Sequence, residues 1–245
     1  MKNSIILAAG YGTRLGGCIK PLLDIGGKPL ISRIISKLEK VPTIEDVYVV
    51  TNGLYNREFV EWAEKTNTRL KIILVNDGTT SNESRLGALK DIVFVLDKVY
   101  KNKVQDTLIV AGDNLFEDGL SLILSKYRGK PLVGIFDVKD LEKAKNFGVV
   151  EVDENNKITG FEEKPVKPRT TLSATAIYLY PAKVLELLRE YIKSGNPADR
   201  PGDFLVWMVK NNQEIYAHKL EKWWDIGSVE SLEAARGYYK SGPAL

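Results

Sequence analysis

The 245-residue chain has one cysteine, Cys18, and one histidine, His218. A single cysteine excludes an internal disulfide framework and fits a reducing, cytoplasmic setting. A single histidine excludes a multi-histidine metal centre and argues against a Ser-His-Asp hydrolase; in the alternating run EIYAHKL (214–220), His218 reads as an ordinary strand residue. Cys18 has no neighbouring histidine to activate it, which argues against a thiolate nucleophile. No run of five Lys or Arg occurs, and 35 basic against 32 acidic residues leave a net charge of +3, too little to drive nucleic-acid binding. No apolar stretch is long enough to span a membrane, and the N-terminus passes into a strand with no signal-peptide core before it. Internal repeats and low-complexity linkers are missing as well. What is present is ordinary for a globular chain, with 44% hydrophobic and 27% charged residues. This length can bury a substantial core as one large domain. The composition is compatible with a homo-oligomer and does not specify one.

The first half alternates strand and helix patterns. Strands are predicted at Asn3–Leu7, Asp46–Thr51, Leu70–Val75 and Thr107–Ala111. Between them, Leu30, Ile31, Ile34, Ile35 and Leu38 repeat with helical spacing behind Pro29, and helices are predicted over Arg57–Lys65 and Leu86–Val99. Such alternation implies βαβ units and a parallel sheet. The second half differs. Strands are expected at Leu132–Val138, Ala174–Tyr180 and Glu214–Leu220, and a hairpin pairs Gly148–Val152 with Ile158–Glu162 across the turn residues DENNK. Helices are expected over Pro181–Ile192 and Asp203–Lys210, and from Ser228, an N-cap residue. The fold class is α/β: three layers, with a mixed, mainly parallel central sheet, as a single domain over 1–245.

Residues 7–21, LAAGYGTRLGGCIKP, form a glycine-rich turn directly after the first strand, with two cations inside it. Gly10 and Gly12 allow a sharp turn that brings backbone N–H groups close to a ligand. A nucleoside triphosphate carries about four negative charges near neutral pH, which suits those donors together with Arg14 and Lys20. The Walker form fails for want of Gly-Lys followed by Ser or Thr, and the dinucleotide fingerprint fails because Leu15 stands where its third glycine belongs.

Asp113 ends LIVAGDN and Asp225 ends the run through WWD. Ligands of parallel α/β sheets collect outside strand carboxyl ends, and two carboxylates with phosphates and waters suit Mg²⁺. Turn or cap roles for both aspartates are the alternative. FEEKP (161–165) follows a strand, and its lysine could hold a phosphate while a carboxylate accepts from hydroxyls; an exposed hairpin end is the alternative. In NDGTTSNESRLGALKD (76–91), Asn82 either presents an amide to a base edge or, like Ser81, caps a helix.

LAAGYGTRL followed by KPLLDIGGKPLI resembles the signature of the sugar-phosphate nucleotidylyltransferases, and the likeness runs over about residues 2 to 240. AGDN and WWDIGSVESL are similar to that family's two metal-aspartate motifs, which implies Mg²⁺ on Asp113 and Asp225. The resemblance implies that Ala9, Gly10, Gly12, Thr13, Arg14 and Asp113 hold the nucleotide, with Arg14 and Lys20 on its phosphates. Asn82 and Gly87 keep the five-residue spacing with which relatives read the base, although relatives usually have Gln with a nearby Pro. FGVVEVD (147–153), FEEKP and ATAIYLYP (174–181) imply a sugar-phosphate side built from Phe147, Gly148, Glu163, Lys164 and Thr175, with Lys164 on the phosphate and Glu163 on a hydroxyl. Arg200 in NPADRPGDF matches a phosphate-binding arginine more loosely, with one extra residue. Residues 1–130 would serve mainly the nucleotide and 131–245 mainly the sugar phosphate. No hexapeptide-repeat tail follows Leu245, so a fused acetyltransferase is not expected.

The implied reaction joins an NTP, with dTTP or UTP favoured, to a sugar 1-phosphate, with glucose 1-phosphate favoured, and releases pyrophosphate. The short loop between Arg14 and Lys20 also occurs in cytidylyltransferases that act on other phosphorylated alcohols, so CTP stays open. A metal-dependent glycosyltransferase would show Asp-x-Asp, whereas Asn114-Leu115 follows Asp113. A silent nucleotide-sugar-binding homologue would be expected to lose the cations or aspartates that this chain keeps.

Overall fold

The apolar run NSIIL forms β1 (Asn3–Leu7), in which Ile5 packs on one face and Ile6 on the other, both fully buried. Period-two alternation that is apolar on both sides places this strand inside a sheet covered twice. The computed structural model describes residues 2–100 and 103–240. After β1 come a two-residue hairpin of β2 (Asp24–Ile25) and β3 (Lys28–Pro29), then α1 (Leu30–Glu39), β4 (Asp46–Thr51), α2 (Asn56–Lys65), β5 (Lys71–Asn76) and α3 (Ala88–Val95). The chain continues through β6 (Thr107–Ala111), β7 (Asn114–Phe116), α4 (Leu120–Lys126), β8 (Leu132–Asp137), α5 (Leu141–Ala144), β9 (Gly148–Val152), β10 (Ile158–Glu163) and β11 (Leu172–Tyr180). It closes with α6 (Ala182–Lys193), α7 (Pro201–Lys210), β12 (Tyr216–Lys219), β13 (Trp223–Asp225) and α8 (Val229–Lys240).

The main sheet runs β10-β9-β11-β6-β1-β4-β5, with β8 pairing β11 and β12. The segment β6-β1-β4-β5 is wholly parallel, with Ile5 opposite Tyr48 on one side and Ile109 on the other. β11 runs antiparallel to β6 and β8, and β9 and β10 form the expected antiparallel hairpin. Helices cover both faces. α1, α2, α4 and α8 pack on one side, where Leu30, Ile31, Ile34 and Leu38 are almost wholly buried; each such aliphatic side chain contributes about 1.5–3 kcal/mol on burial. α3, α6 and α7 pack on the other through Leu89, Ile92, Leu185 and Phe204. This is the three-layer α/β architecture expected from the sequence.

Three local departures from the expected elements occur. The helix predicted over Leu86–Val99 begins only at Ala88, because Gly87 sits at φ +90° and the N–H groups of Ala88 and Leu89 donate to the carbonyls of Asp199 and Ala198. Beyond Val95 it widens into a π-type turn over Leu96–Tyr100. Neither Ser81 nor Asn82 therefore caps a helix; Ser81 closes a local turn with Ser84. Finally, Asp225 ends a strand outside the main sheet: β13 pairs only with β7, with Asp225 opposite Asn114. Ser228 caps α8 as expected, its Oγ accepting from Ser231 N at 3.2 Å. Among the described residues no helix is long and apolar enough to cross a membrane.

Candidate active site

The carboxyl ends of β1 and β6 open onto a cleft of about 460 Å³. It is lined by Ala9, Gly10, Gly12, Arg14, Lys20, Asn82, Gly87, Asp113, Phe147, Gly148, Glu163, Lys164, Thr175, Arg200 and Asp225. These are all of the predicted site residues except Thr13, which sits exposed in a 3-10 turn, Thr13–Leu15. The turn folds back on Gly12, whose carbonyl accepts from Leu15 N at 2.8 Å and Gly17 N at 3.1 Å. Gly12 has φ +60°, and a Cβ there would overlap the Cys18 carbonyl, so no other residue allows this fold-back. Two distant tethers hold the loop: buried Asn52 Nδ2 donates to Ala9 O at 3.0 Å, and Tyr55 Oη to Gly17 O at 2.8 Å.

Asp113 is held on both carboxylate oxygens. Lys20 Nζ lies 2.9 Å from Oδ2, and Asn114 Nδ2 donates to Oδ1 at 3.3 Å. Asn114 is oriented in turn by the Trp223 indole N–H, which donates to its Oδ1, and Phe147 packs edge-on against Trp223. Ile226 N donates to Asp113 O at 3.0 Å, so the β7–β13 ribbon places Asp225 beside Asp113. The Asp225 carboxyl is pushed up to about 6, first by burial and then by the charge of Asp113, while Lys20, Arg14 and Lys164 pull the other way. Two carboxylates and three cations lining one cleft and acting on one another form its electrostatic centre. Among the described residues no cluster of three metal-ligating side chains occurs. The centre nonetheless suits Mg²⁺, which is commonly bound by one or two carboxylates plus substrate phosphates and waters, and whose charge would relieve the repulsion that raises Asp225.

The opposite wall is built around Glu163. A Cβ on Gly202, at the start of α7, would overlap Glu163 Oε2, and one on Gly148 would meet both Phe161 and that carboxylate. The two glycines thus admit a carboxylate between β9 and α7. Burial pushes the Glu163 carboxyl up, with Arg200 and Lys164 opposing. Lys164 has φ +50°, and its N–H donates to Phe147 O at 3.0 Å, which bends the chain at the end of β10. Arg200 makes a two-point ion pair with Asp203, and the Thr175 hydroxyl donates to Gly134 O at 2.9 Å from beneath the floor.

At the third side, Arg85 pairs with Asp199 through two bonds of 3.0 and 3.1 Å and donates to Asn82 O at 2.8 Å. This ties the loop before α3 to the segment before α7. Tyr11, Asp77 and Asp91 also line the cleft, with the Tyr11 hydroxyl donating to Thr79 Oγ1 at 2.8 Å. Asp91, Gly202 and Asn114 are lining residues not singled out from the sequence. Asp91 had a readable signal, an acid among Leu89, Ile92 and Val95 on the buried face of a helix; Gly202 and Asn114 had none, because their importance comes from residues distant in the chain.

The chain matches the nucleotidyl transferase family over residues 3–241. It is 30% identical to the bifunctional protein GlmU of Methanococcus aeolicus over 236 residues, which cover 94% of this chain and 52% of that protein. It is 26% identical to a glucose-1-phosphate adenylyltransferase of Lachnospira eligens over 243 residues, 93% of this chain and 57% of that protein. The chain thus spans about half the length of the curated relatives it matches. Its fold is shared with a structure assigned as a glucose-1-phosphate thymidylyltransferase from Bacillus anthracis in complex with sucrose, at TM-score 0.80 and 22% identity over 98% of this chain and 96% of that one. A UDP-glucose pyrophosphorylase complexed with UDP-glucose gives a TM-score of 0.78 at 22% identity over 98% of this chain and 99% of that one. A match that leaves almost none of the sequence outside it places the chain in the nucleotidyl transferase family.

Proposed function

We propose that the chain transfers a nucleotidyl group from an NTP to a sugar 1-phosphate, giving an NDP-sugar and pyrophosphate. The observation that carries this reading is the convergence of Arg14, Lys20, Lys164, Asp113 and Asp225 on one cleft. Family membership supports the reaction class, and the name of the glucose-1-phosphate adenylyltransferase relative supports a sugar 1-phosphate acceptor. The reaction forms a bond between a non-bridging oxygen of the sugar phosphate and the α-phosphorus, and breaks the α-phosphorus bond to the oxygen that leaves with pyrophosphate. No enzyme nucleophile is needed. The barrier is the approach of two anions, so the residues act by positioning and charge neutralisation.

Arg14 and the backbone of Gly10 and Gly12 hold the triphosphate, Lys164 holds the incoming phosphate, and Glu163 accepts from a sugar hydroxyl. Asp113 and Asp225 would hold Mg²⁺, which supplies charge neutralisation at the reacting phosphates when bound. Lys20, whose Nζ lies 2.9 Å from Asp113 Oδ2, places its charge beside that carboxylate for the reacting phosphates. Residues 1–130 serve mainly the nucleotide and 131–245 mainly the sugar phosphate. We favour UTP or dTTP and glucose 1-phosphate. Pyrophosphate release measured over a panel of NTPs and sugar phosphates with Mg²⁺ tests the reading: release that requires both substrates supports it, and release from no pair contradicts it.

A further inference from the structure

Asp91 lies on the first turn and a half of α3, four residues beyond Gly87, and lines the same cleft as Asn82 and Gly87. Residues at i and i+4 share a helix face, and side chains tilt toward the helix N-terminus, so the carboxyl leans back toward Gly87. The residue is 6% exposed, and its Oδ1 is buried without a hydrogen-bond partner. A buried oxygen of this kind is costly unless something fills the need. The N–H groups of Ala88 and Leu89 are taken by Asp199 and Ala198, which leaves the Asp91 carboxyl as an unpartnered polar group at this wall.

We propose that Asp91 reads the pairing edge of the nucleobase, its neutral carboxyl donating to a base oxygen while accepting from the adjacent base N–H. The favoured partner is the imide edge of uracil or thymine, where an ionised carboxylate would face an oxygen lone pair. The inference rests on the nucleotidyl-transfer reading and adds to it a specificity-determining residue. Burial first, and then Asp77 from the loop after β5, push the Asp91 carboxyl up to about 8, so it is mostly neutral at pH 7. The other facing groups do not offset this. Tyr11 bonds Thr79, Arg85 is paired with Asp199, and on α7 and α6, which pack against α3, Arg200 pairs Asp203 and Arg189 pairs Glu186 and Asp97.

The test is calorimetric binding of UTP, dTTP and GTP to the wild type, D91N and D91A at pH 7 and pH 9, with pyrophosphate release in parallel. UTP should bind the wild type about tenfold more weakly at pH 9 than at pH 7, as neutral Asp91 is titrated away. GTP, whose edge sets two donors side by side, should not weaken in this way. D91N keeps a donor and an acceptor but cannot ionise, so the pH dependence due to Asp91 should vanish; ionisation of the ligand is common to both proteins. D91A should lose on the order of ten- to a hundred-fold in UTP affinity, with the KM for the sugar phosphate unchanged. Wild-type pH dependence in D91N, or wild-type UTP affinity in D91A, overturns the proposal. Binding that follows this pattern with no pyrophosphate released from any pair would instead overturn the reaction assigned to the cleft.

Discussion

Glu163 shows how a single side chain is placed by residues far from it in sequence. Its carboxylate sits in space left by the missing side chains of Gly148 and Gly202, and Gly202 lies 39 positions downstream. Gly202→Ala would put a Cβ onto that carboxylate and push it from the place where the proposed reaction has it accept from a sugar hydroxyl. The KM for the sugar phosphate should rise about tenfold or more while the KM for the nucleotide holds, as read from initial rates with each substrate varied. An unchanged sugar-phosphate KM would remove Glu163 from the acceptor site. Asp113, Asp225, Arg14, Lys20 and Lys164 were legible because each stands in a motif at the end of a strand or in the first turn. Gly202 and Asn114 were not, because nothing in RPGDF or AGDN reveals that Glu163 and Trp223 come to them through space.

At the level of elements, periodic segments announced themselves and short ones did not. The helix behind Pro29 carries five apolar residues at helical spacing and was readable to the residue at its start. The β7–β13 ribbon is three residues a side, so no periodicity distinguishes it from a loop, although it places both aspartates. The ribbon is anchored by Phe116, 1% exposed and in the same core cluster as Leu115 and Ile226. Phe116→Ala should cost about 3–5 kcal/mol in urea unfolding, against less than 1 kcal/mol for a substitution of typical size at an exposed site. On β12, burial lowers the pKa of His218, with Lys126 adding to the effect and Asp118 opposing it. The unfolded chain therefore takes up the proton first. The contribution of His218 to stability should be flat above the usual histidine value of 6.5 and fall as pH drops below it. His218→Gln should flatten that part of the acid limb; an identical limb in wild type and variant would show that another group causes it.

Across the whole molecule, one sheet joins two kinds of half. The parallel strands β6, β1, β4 and β5 present loop ends to one side of the cleft, and the antiparallel elaboration through β9, β10 and β11 presents the opposite wall. The three-layer class could be read from alternating patterns, but the pairing of β13 with β7 outside the main sheet could not, because it depends on the chain returning after α7. The electrostatic centre of the cleft is the pair Asp113 and Asp225, brought together from distant segments, with the charges of Lys20, Arg14 and Lys164 acting on Asp225. The most direct measurement is Mg²⁺-dependent pyrophosphate release by Asp113→Asn and Asp225→Asn, with circular dichroism confirming that both variants are folded. A loss of about a hundred- to a thousand-fold in turnover by each variant is predicted. Near-normal release by both would contradict the assignment.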